Sequence, residues 1–168
     1  MVSFQEIQTA YYMVAATGVL LAAIYYVLNI RTTLQTRQAQ LFMPIYSTYS
    51  SAEFLKTRSE VMSYQYKDYD DYQSKYGFDV NPDADAKARM VNAYFEGIGV
   101  LMKRGLIDPS IVDDLMSGVI VRYWEKYEPY ILEYRQRRDW PQAGEHVEYL
   151  YNKIKPIAEK QRKELVKP

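Results

Sequence analysis

An uncharged apolar segment near the start of the sequence limits what this chain can fold into. No Asp, Glu, Lys or Arg occurs between Thr9 and Ile30. A helix needs about 20 mostly apolar residues to cross the hydrocarbon core of a bilayer, and this segment is long enough. Aromatic pairs stand near its two ends, as they do at lipid–water boundaries: Tyr11, Tyr12, Tyr25 and Tyr26. The sequence therefore predicts a single transmembrane helix over residues 10–30, preceded by a short segment, residues 1–9.

Two other interpretations of this segment fit the sequence less well. A secretory signal would begin with basic residues, whereas Met1–Gln8 carries only the acidic Glu6. A signal would also end at a small-residue cleavage site, but Tyr25 and Tyr26 follow the alanines here. A fully buried soluble helix of this length would need a larger core than the rest of the chain can build. The membrane span is the preferred interpretation, with the lipid bilayer as a partner.

The basic residues that flank the segment predict its orientation. None precedes it, whereas Arg31 and Arg37 follow closely. Because basic residues favour the cytoplasmic side, the N-terminus should lie outside and the C-terminal domain in the cytoplasm. We therefore expect a single-pass protein of the cell membrane.

One face of the predicted membrane helix carries small residues. Ala15, Gly18 and Ala22 would let another membrane helix approach closely. These three positions are candidate packing contacts within the membrane.

Helical spacing of apolar residues in the remaining chain predicts an all-α fold. Residues 31–50 should form a juxtamembrane helix that Pro44 ends or kinks. A small helical-bundle domain should follow over residues 51–158, and a charged tail over residues 159–168. Within the domain, one helix is expected to begin after Ser50 or Ser51 and to stop at Gly77.

The clearest helix boundaries are predicted around residues 83–109. One helix should run over about residues 83–104 and end at Gly105 in the left-handed conformation. Asp108 should then cap a new helix, with Pro109 at its first position. Pro129 should bend that helix or mark a restart.

Tyrosine is unusually frequent, with 18 residues in the chain. A tyrosine ring has an apolar body and a polar tip, so it suits half-buried surfaces, including contacts with other proteins. Two segments concentrate aromatic residues and form the predicted interaction surface: Tyr64, Tyr66, Tyr69, Tyr72, Tyr76, Tyr123, Trp124, Tyr127, Tyr130 and Tyr134.

Composition argues against nucleic-acid binding and against catalysis. The 21 basic and 21 acidic residues balance, so no overall field attracts nucleic acid. The chain has no cysteine and a single histidine, His146, which leaves little nucleophilic or metal-binding chemistry. We expect no nucleic-acid partner, catalytic site, metal or cofactor.

Two acidic features of the sequence resemble functional sites. Residues 79–90 resemble a calcium loop, but Ala84 replaces the glycine and Met90 the glutamate that such a loop needs. The interpretation that fits better is a turn whose acidic residues favour the next helix N-terminus. Glu96 lies between apolar residues and should pair with an arginine, either Arg122 or Arg135.

The segment Tyr94–Asp108, together with Trp124, Glu125, Pro129 and Arg135, resembles a broad bacterial and archaeal family of unknown function. Its members pair a membrane helix with a short helical domain. The similarity is clearest over about residues 90–155 and looser over the anchor. The resemblance implies this architecture and carries no activity, cofactor or site residue with it.

These observations favour a non-catalytic interaction or scaffold module anchored at the inner face of the membrane. The alternative is an accessory structural subunit of a larger membrane enzyme or transport complex. Other proteins, membrane subunits among them, are the expected partners, and self-association is open to the chain.

Overall fold

The computed structural model describes residues 3–165, except for the side chains of Gln161, Glu164 and Leu165. Within that range the chain forms six helices and no strand: α1 (Phe4–Ser50), α2 (Ala52–Ser63), α3 (Tyr69–Tyr76), α4 (Pro82–Lys103), α5 (Pro109–Arg137) and α6 (Glu145–Leu165). The predicted all-α class is confirmed. The chain divides into two compact units, residues 1–40 and residues 41–168.

The first unit consists of the N-terminal part of α1. Its most apolar window of 18 residues has a mean hydropathy of 1.9, and no residue of that window is buried. All residues from Ser3 to Arg37 are exposed, including Val19 and Leu20. By length and composition α1 can cross a membrane, as the sequence predicts.

The C-terminal part of α1 belongs to the second unit. Pro44 does not end the helix, because α1 continues through it to Ser50. The compact unit begins at residue 41, ten residues before the predicted domain boundary at residue 51. Phe42 explains the difference, since its ring is buried in the core of this unit. The Tyr94 hydroxyl also donates a hydrogen bond of 2.5 Å to the Ile45 carbonyl oxygen.

The long helix predicted between Ser51 and Gly77 is two helices, α2 and α3. Of the two predicted caps, Ser51 is the one that caps α2, accepting a hydrogen bond of 3.2 Å from the Phe54 amide. Asp68 starts α3 in the same way, accepting from the Asp71 amide at 2.9 Å. A short acidic side chain stabilises a helix start better than a helix interior, so the chain leaves the helix before Asp68. Gly77 follows the end of α3, as predicted.

Both predicted helix boundaries around α4 are confirmed. Asn81 caps its start and accepts a hydrogen bond of 3.1 Å from the Ala84 amide, which supports the turn interpretation over a calcium loop. After α4, Gly105 has a φ of +68°, in the left-handed region that favours glycine. Asp108 then accepts from the Ser110 amide at 2.8 Å, and Pro109 is the first residue of α5.

The core of the second unit is formed mainly by α4, α5 and α6. Each contributes apolar side chains that are almost fully buried: Val91, Phe95 and Ile98 from α4, Met116, Ile120 and Trp124 from α5, and Val147, Leu150 and Ile154 from α6. Gly99 allows α4 and α6 to approach closely, because a Cβ atom there would overlap the His146 carbonyl oxygen.

Two of the helices pass through proline residues. α5 continues through Pro129 to Arg137, so it does not restart there. α6 continues through Pro156 to Leu165 and includes the described part of the predicted charged tail. Residues 166–168 of that tail lie outside the described residues, as do residues 1 and 2 of the predicted N-terminal segment.

Candidate functional site

The ten aromatic residues predicted as an interaction surface lie mostly inside the second unit. Six of them are buried: Tyr64, Tyr69, Tyr72, Tyr123, Trp124 and Tyr127. The other four are half-buried: Tyr66, Tyr76, Tyr130 and Tyr134. Burial removes most of the surface of the first six from contact with a partner, and the predicted interaction surface stays a prediction.

Contacts between aromatic rings explain this burial. The rings of Tyr64 and Tyr76 stack with centroids 4.1 Å apart, and those of Tyr72 and Tyr130 lie 4.3 Å apart. Aromatic rings gain free energy from such pairs in addition to the area that they bury. The tyrosine excess thus serves the interior first, and it leaves only the edges of the cluster for contacts with other molecules.

The small residues predicted as membrane-helix contacts are open in the structure. Ala15, Gly18 and Ala22 are exposed, and no atom outside the helix backbone lies within 4 Å of the position that a Cβ would take at Gly18. Their packing against another helix stays a prediction.

Lys126 connects α5 to the end of α2. Its ammonium group donates hydrogen bonds to the carbonyl oxygens of Met62, at 2.5 Å, and Tyr64, at 2.7 Å. Carbonyl groups at a helix C-terminus lack intrahelical donors, and a cation there also interacts favourably with the helix dipole. Lys126 therefore fixes the point at which the chain leaves α2.

Two tyrosine hydroxyls hold the same connection. Tyr66 donates to the Lys126 carbonyl oxygen at 2.9 Å, and Tyr127 donates to the Val61 carbonyl oxygen at 2.7 Å. Burial raises the pKa of Tyr66 to about 12, so its hydroxyl stays protonated at neutral pH. The connection between α2 and α3, residues 64–68, is thus bound firmly to α5.

A groove of about 390 Å³ lies between this connection and α5. We call it the tyrosine groove. Its lining combines aromatic rings, a proline and charged or amide side chains: Tyr64, Gln65, Tyr66, Lys67, Asp68, Tyr69, Lys126, Pro129, Tyr130 and Glu133. Four of the ten predicted aromatic residues therefore meet at one concave surface, and the other six do not line it.

The charged residues of the groove lining differ in whether they form ion pairs. Lys126 has two carbonyl acceptors but forms no ion pair within the described residues. Burial lowers the pKa of its ammonium group. By contrast, Glu133 pairs with Arg137 at 2.5 Å, and Asp68 accepts a hydrogen bond at the start of α3.

The polar members of the groove were not predicted from the sequence. A lysine beside an apolar stripe, as Lys126 stands beside Tyr127, is ordinary on a helix surface. Helical spacing places Gln65, Lys67 and Asp68 in the middle of one long helix. The cap-forming Asp68, followed by Asp70 and Asp71, was the signal that could have indicated a break there.

Glu96 contacts His146 instead of the predicted Arg122 or Arg135. Glu96 Oε2 lies 3.0 Å from His146 Nδ1. Arg122 Nε donates instead to a carbonyl oxygen of its own helix, and Arg135 pairs with Glu148 at 2.8 Å. The sequence could not identify the partner of Glu96, because His146 lies 50 positions away in the chain.

The His146 contacts join α4 to α6. His146 Nε2 lies 3.3 Å from Glu145 Oε1, and Glu96 Oε1 accepts a hydrogen bond from the Val147 amide. Glu96 of α4 thus contacts both His146 and the Val147 amide of α6, and these two contacts hold the helices together. In the part of the chain that the structure describes, no group of three or more His, Asp or Glu residues is placed to hold a metal ion.

Asp113 is a buried carboxylate in the second turn of α5. It is 1% exposed, and neither carboxylate oxygen has a hydrogen-bond partner among the described residues. Burial raises its pKa, although the Ser117 hydroxyl one turn later opposes this shift. Asp113 does not line the tyrosine groove.

Comparison with known proteins identifies the family of the chain but no activity. No curated protein and no solved structure matches it. The family described as "Domain of unknown function (DUF4760)" matches residues 12–154, from α1 into α6. This range includes all the motif residues that carry the resemblance to a family of unknown function. The chain therefore belongs to the DUF4760 family, whose function is unknown.

Proposed function

We propose that this protein is a non-catalytic helical module that α1 tethers to a membrane and that holds a protein partner there. The observation that carries the proposal is the complete exposure of the apolar part of α1, in a chain whose other unit is compact. An exposed apolar stretch of this size is costly in water, so it needs a bilayer or other apolar surroundings. Arg31 and Arg37 favour the inner face as the location of the second unit.

The tyrosine groove is the contact surface that the structure supports best. Protein contacts are enriched in tyrosine and combine an apolar centre with a polar rim. The groove has these components in Tyr66 and Tyr130, flanked by the exposed Gln65 and Lys67. Its position between a helix and a firmly held connection also keeps the surface preformed, which reduces the entropy lost on binding.

Co-purification with matched surface variants tests the proposal. The full-length protein is extracted from its native membrane in mild detergent, and proteins recovered in stoichiometric amounts are identified by mass spectrometry. The double variant Gln65→Arg and Lys67→Glu alters the groove rim. The control, Asn152→Arg with Lys153→Glu, makes the same changes on the exposed face of α6.

We expect the groove variant to lose the partner by about tenfold or more, because the larger arginine and the reversed charge place unfavourable contacts against the partner. The α6 variant should recover the partner like the wild type. Equal recovery of the partner by wild type and groove variant would exclude the groove as the contact surface.

The alternative, an accessory subunit of a larger membrane complex, rests on the exposed small residues of α1. In that case Gly18→Leu should release the chain from the complex, because bulk at this position prevents close helix packing. Ala16→Leu adds bulk to the opposite side of the same helix and should leave the complex intact. Assembly that survives Gly18→Leu would count against the accessory-subunit function.

A further inference from the structure

Lys126 has hydrogen-bonding capacity that the folded chain does not use. An ammonium group carries three N–H donors, and the carbonyl oxygens of Met62 and Tyr64 accept two of them. The side chain is half-buried in the lining of the tyrosine groove. A partly desolvated cation gains more from an added anion than a fully hydrated one does.

The acidic residues of the lining are already engaged. Glu133 pairs with Arg137, and Asp68 accepts the amide hydrogen bond that begins α3. Lys67, like Lys126, forms no ion pair within the described residues. Asp68 also forms no ion pair within the described residues, so Lys67, Asp68 and Lys126 leave the groove with a net charge of one positive unit.

One side of the groove is formed by aromatic rings and a proline. Tyr66 and Tyr130 stand with ring centroids 6.5 Å apart in an edge-to-face arrangement, and Pro129 is exposed beside them. A volume of about 390 Å³ is near the lower end for ligand pockets and suits a few side chains of an extended segment. Aromatic and proline surfaces of this kind pack well against aliphatic side chains.

We propose that the tyrosine groove binds an acidic peptide segment of the partner protein, with a carboxylate paired to Lys126 and neighbouring aliphatic side chains packed on Tyr66, Tyr130 and Pro129. This inference rests on the proposed function and specifies the chemistry of its partner. The carboxylate accepts the third N–H of the Lys126 ammonium group, and Lys67 at the rim adds electrostatic attraction.

A pair of matched peptides tests the charge requirement on the full chain. The protein carries ¹³C-methyl methionine and is held in lipid nanodiscs. Acetyl-Leu-Glu-Leu-amide and acetyl-Leu-Gln-Leu-amide, which differ in the carboxylate alone, are titrated separately. Met62 is the reporter, because its own carbonyl oxygen is bonded to Lys126, whereas Met102 and Met116 report on the distant core.

We expect a saturable shift of the Met62 methyl signal, with about tenfold tighter binding of the glutamate peptide, the effect of one hydrogen bond to a charged group. Lys126→Met should remove this preference, and Lys126→Arg should retain it. Lys153→Met, which removes a positive charge from the exposed face of α6, is the matched control and should also retain it.

Three results would overturn the inference: no saturable shift with either peptide, equal affinity for the two peptides, or a glutamate preference that survives Lys126→Met. The peptide comparison on the wild-type chain does not depend on any variant folding. If the peptides fail while the groove-rim variant still loses its partner in co-purification, the proposed function stands and the acidic chemistry alone is rejected.

Discussion

Gly97 and Gly99 lie two residues apart in α4 but have opposite surroundings. A Cβ atom at Gly99 would overlap the His146 carbonyl oxygen, whereas nothing lies within 4 Å of the corresponding position at Gly97. We expect Gly99→Ala to destabilise the second unit by about 2–4 kcal/mol, because α4 and α6 must move apart. Gly97→Ala should stabilise it by about 0.5–1 kcal/mol, because alanine loses less conformational freedom in a helix.

Thermal unfolding of the full chain, followed by circular dichroism, measures the two glycine variants side by side. Each is the control for the other, since the substitution and the helix are the same. Changes of the same sign in the two melting temperatures would contradict the close approach of α4 and α6.

The buried carboxylate of Asp113 should reduce stability at neutral pH. Because burial raises its pKa above the ordinary value of 3.8, the folded chain binds this proton more tightly than the unfolded chain does. Its contribution to stability is therefore present at low pH and is lost as pH rises from about 3.8 through the raised value. Asp113→Asn should raise the free energy of unfolding at pH 8 by about 1–2 kcal/mol, with a smaller effect at pH 4.

Denaturant unfolding at the two pH values measures this difference. Asp79→Asn, at an exposed position in the turn before α4, is the matched control and should change stability little at either pH. If Asp113→Asn is less stable than the wild type at pH 8, the carboxylate has a favourable partner and the prediction is wrong.

At the scale of single helices, the basic residues of α1 predict on which side of the membrane each end of the chain lies. The chain has no cysteine, so Ser3→Cys and Asn152→Cys each introduce a sole thiol. In right-side-out vesicles, a membrane-impermeant maleimide should label Ser3→Cys and leave Asn152→Cys unlabelled, because Arg31 and Arg37 favour the inner side. Detergent should make the thiols equally reactive, and labelling of Asn152→Cys in intact vesicles would reverse the predicted orientation.

The helix boundaries show which elements were predictable. Gly105, Asp108 and Pro109 act on backbone groups within one turn, so the end of α4 and the start of α5 followed from sequence. The break between α2 and α3 was missed, because Met62, Tyr66 and Tyr69 keep helical spacing across it. Contacts with α5, the Lys126 ammonium group above all, hold the chain out of the helix there.

At the scale of the whole molecule, the tyrosine cluster should make the fold sensitive to alkali. Burial raises the pKa of seven tyrosines above the ordinary value of 10.0, to about 12 for Tyr66: Tyr64, Tyr66, Tyr72, Tyr94, Tyr123, Tyr127 and Tyr130. The folded chain therefore holds these protons more tightly than the unfolded chain, and stability falls as pH rises above about 10.

Tyrosinate absorbance and circular dichroism, recorded together during an alkaline titration, test this sensitivity. Near pH 11 the folded protein should show fewer than its 18 tyrosines ionised, and the rest should ionise together with loss of helix. In concentrated urea all of them should titrate near pH 10. Complete ionisation near pH 10 with the helices intact would mean that the cluster is open to solvent.

The sequence alone determined the all-α class, the long apolar helix and most helix caps, because each depends on residues within a few positions of one another. Only the tertiary structure decided that Tyr72, Tyr123 and Tyr127 are core residues and that Lys126 lines a groove. Helical spacing identifies which side chains share a face, but burial depends on whether another helix covers that face. The pairing of Glu96 with His146 was likewise decided by the packing of α4 on α6, which brings together residues far apart in the chain.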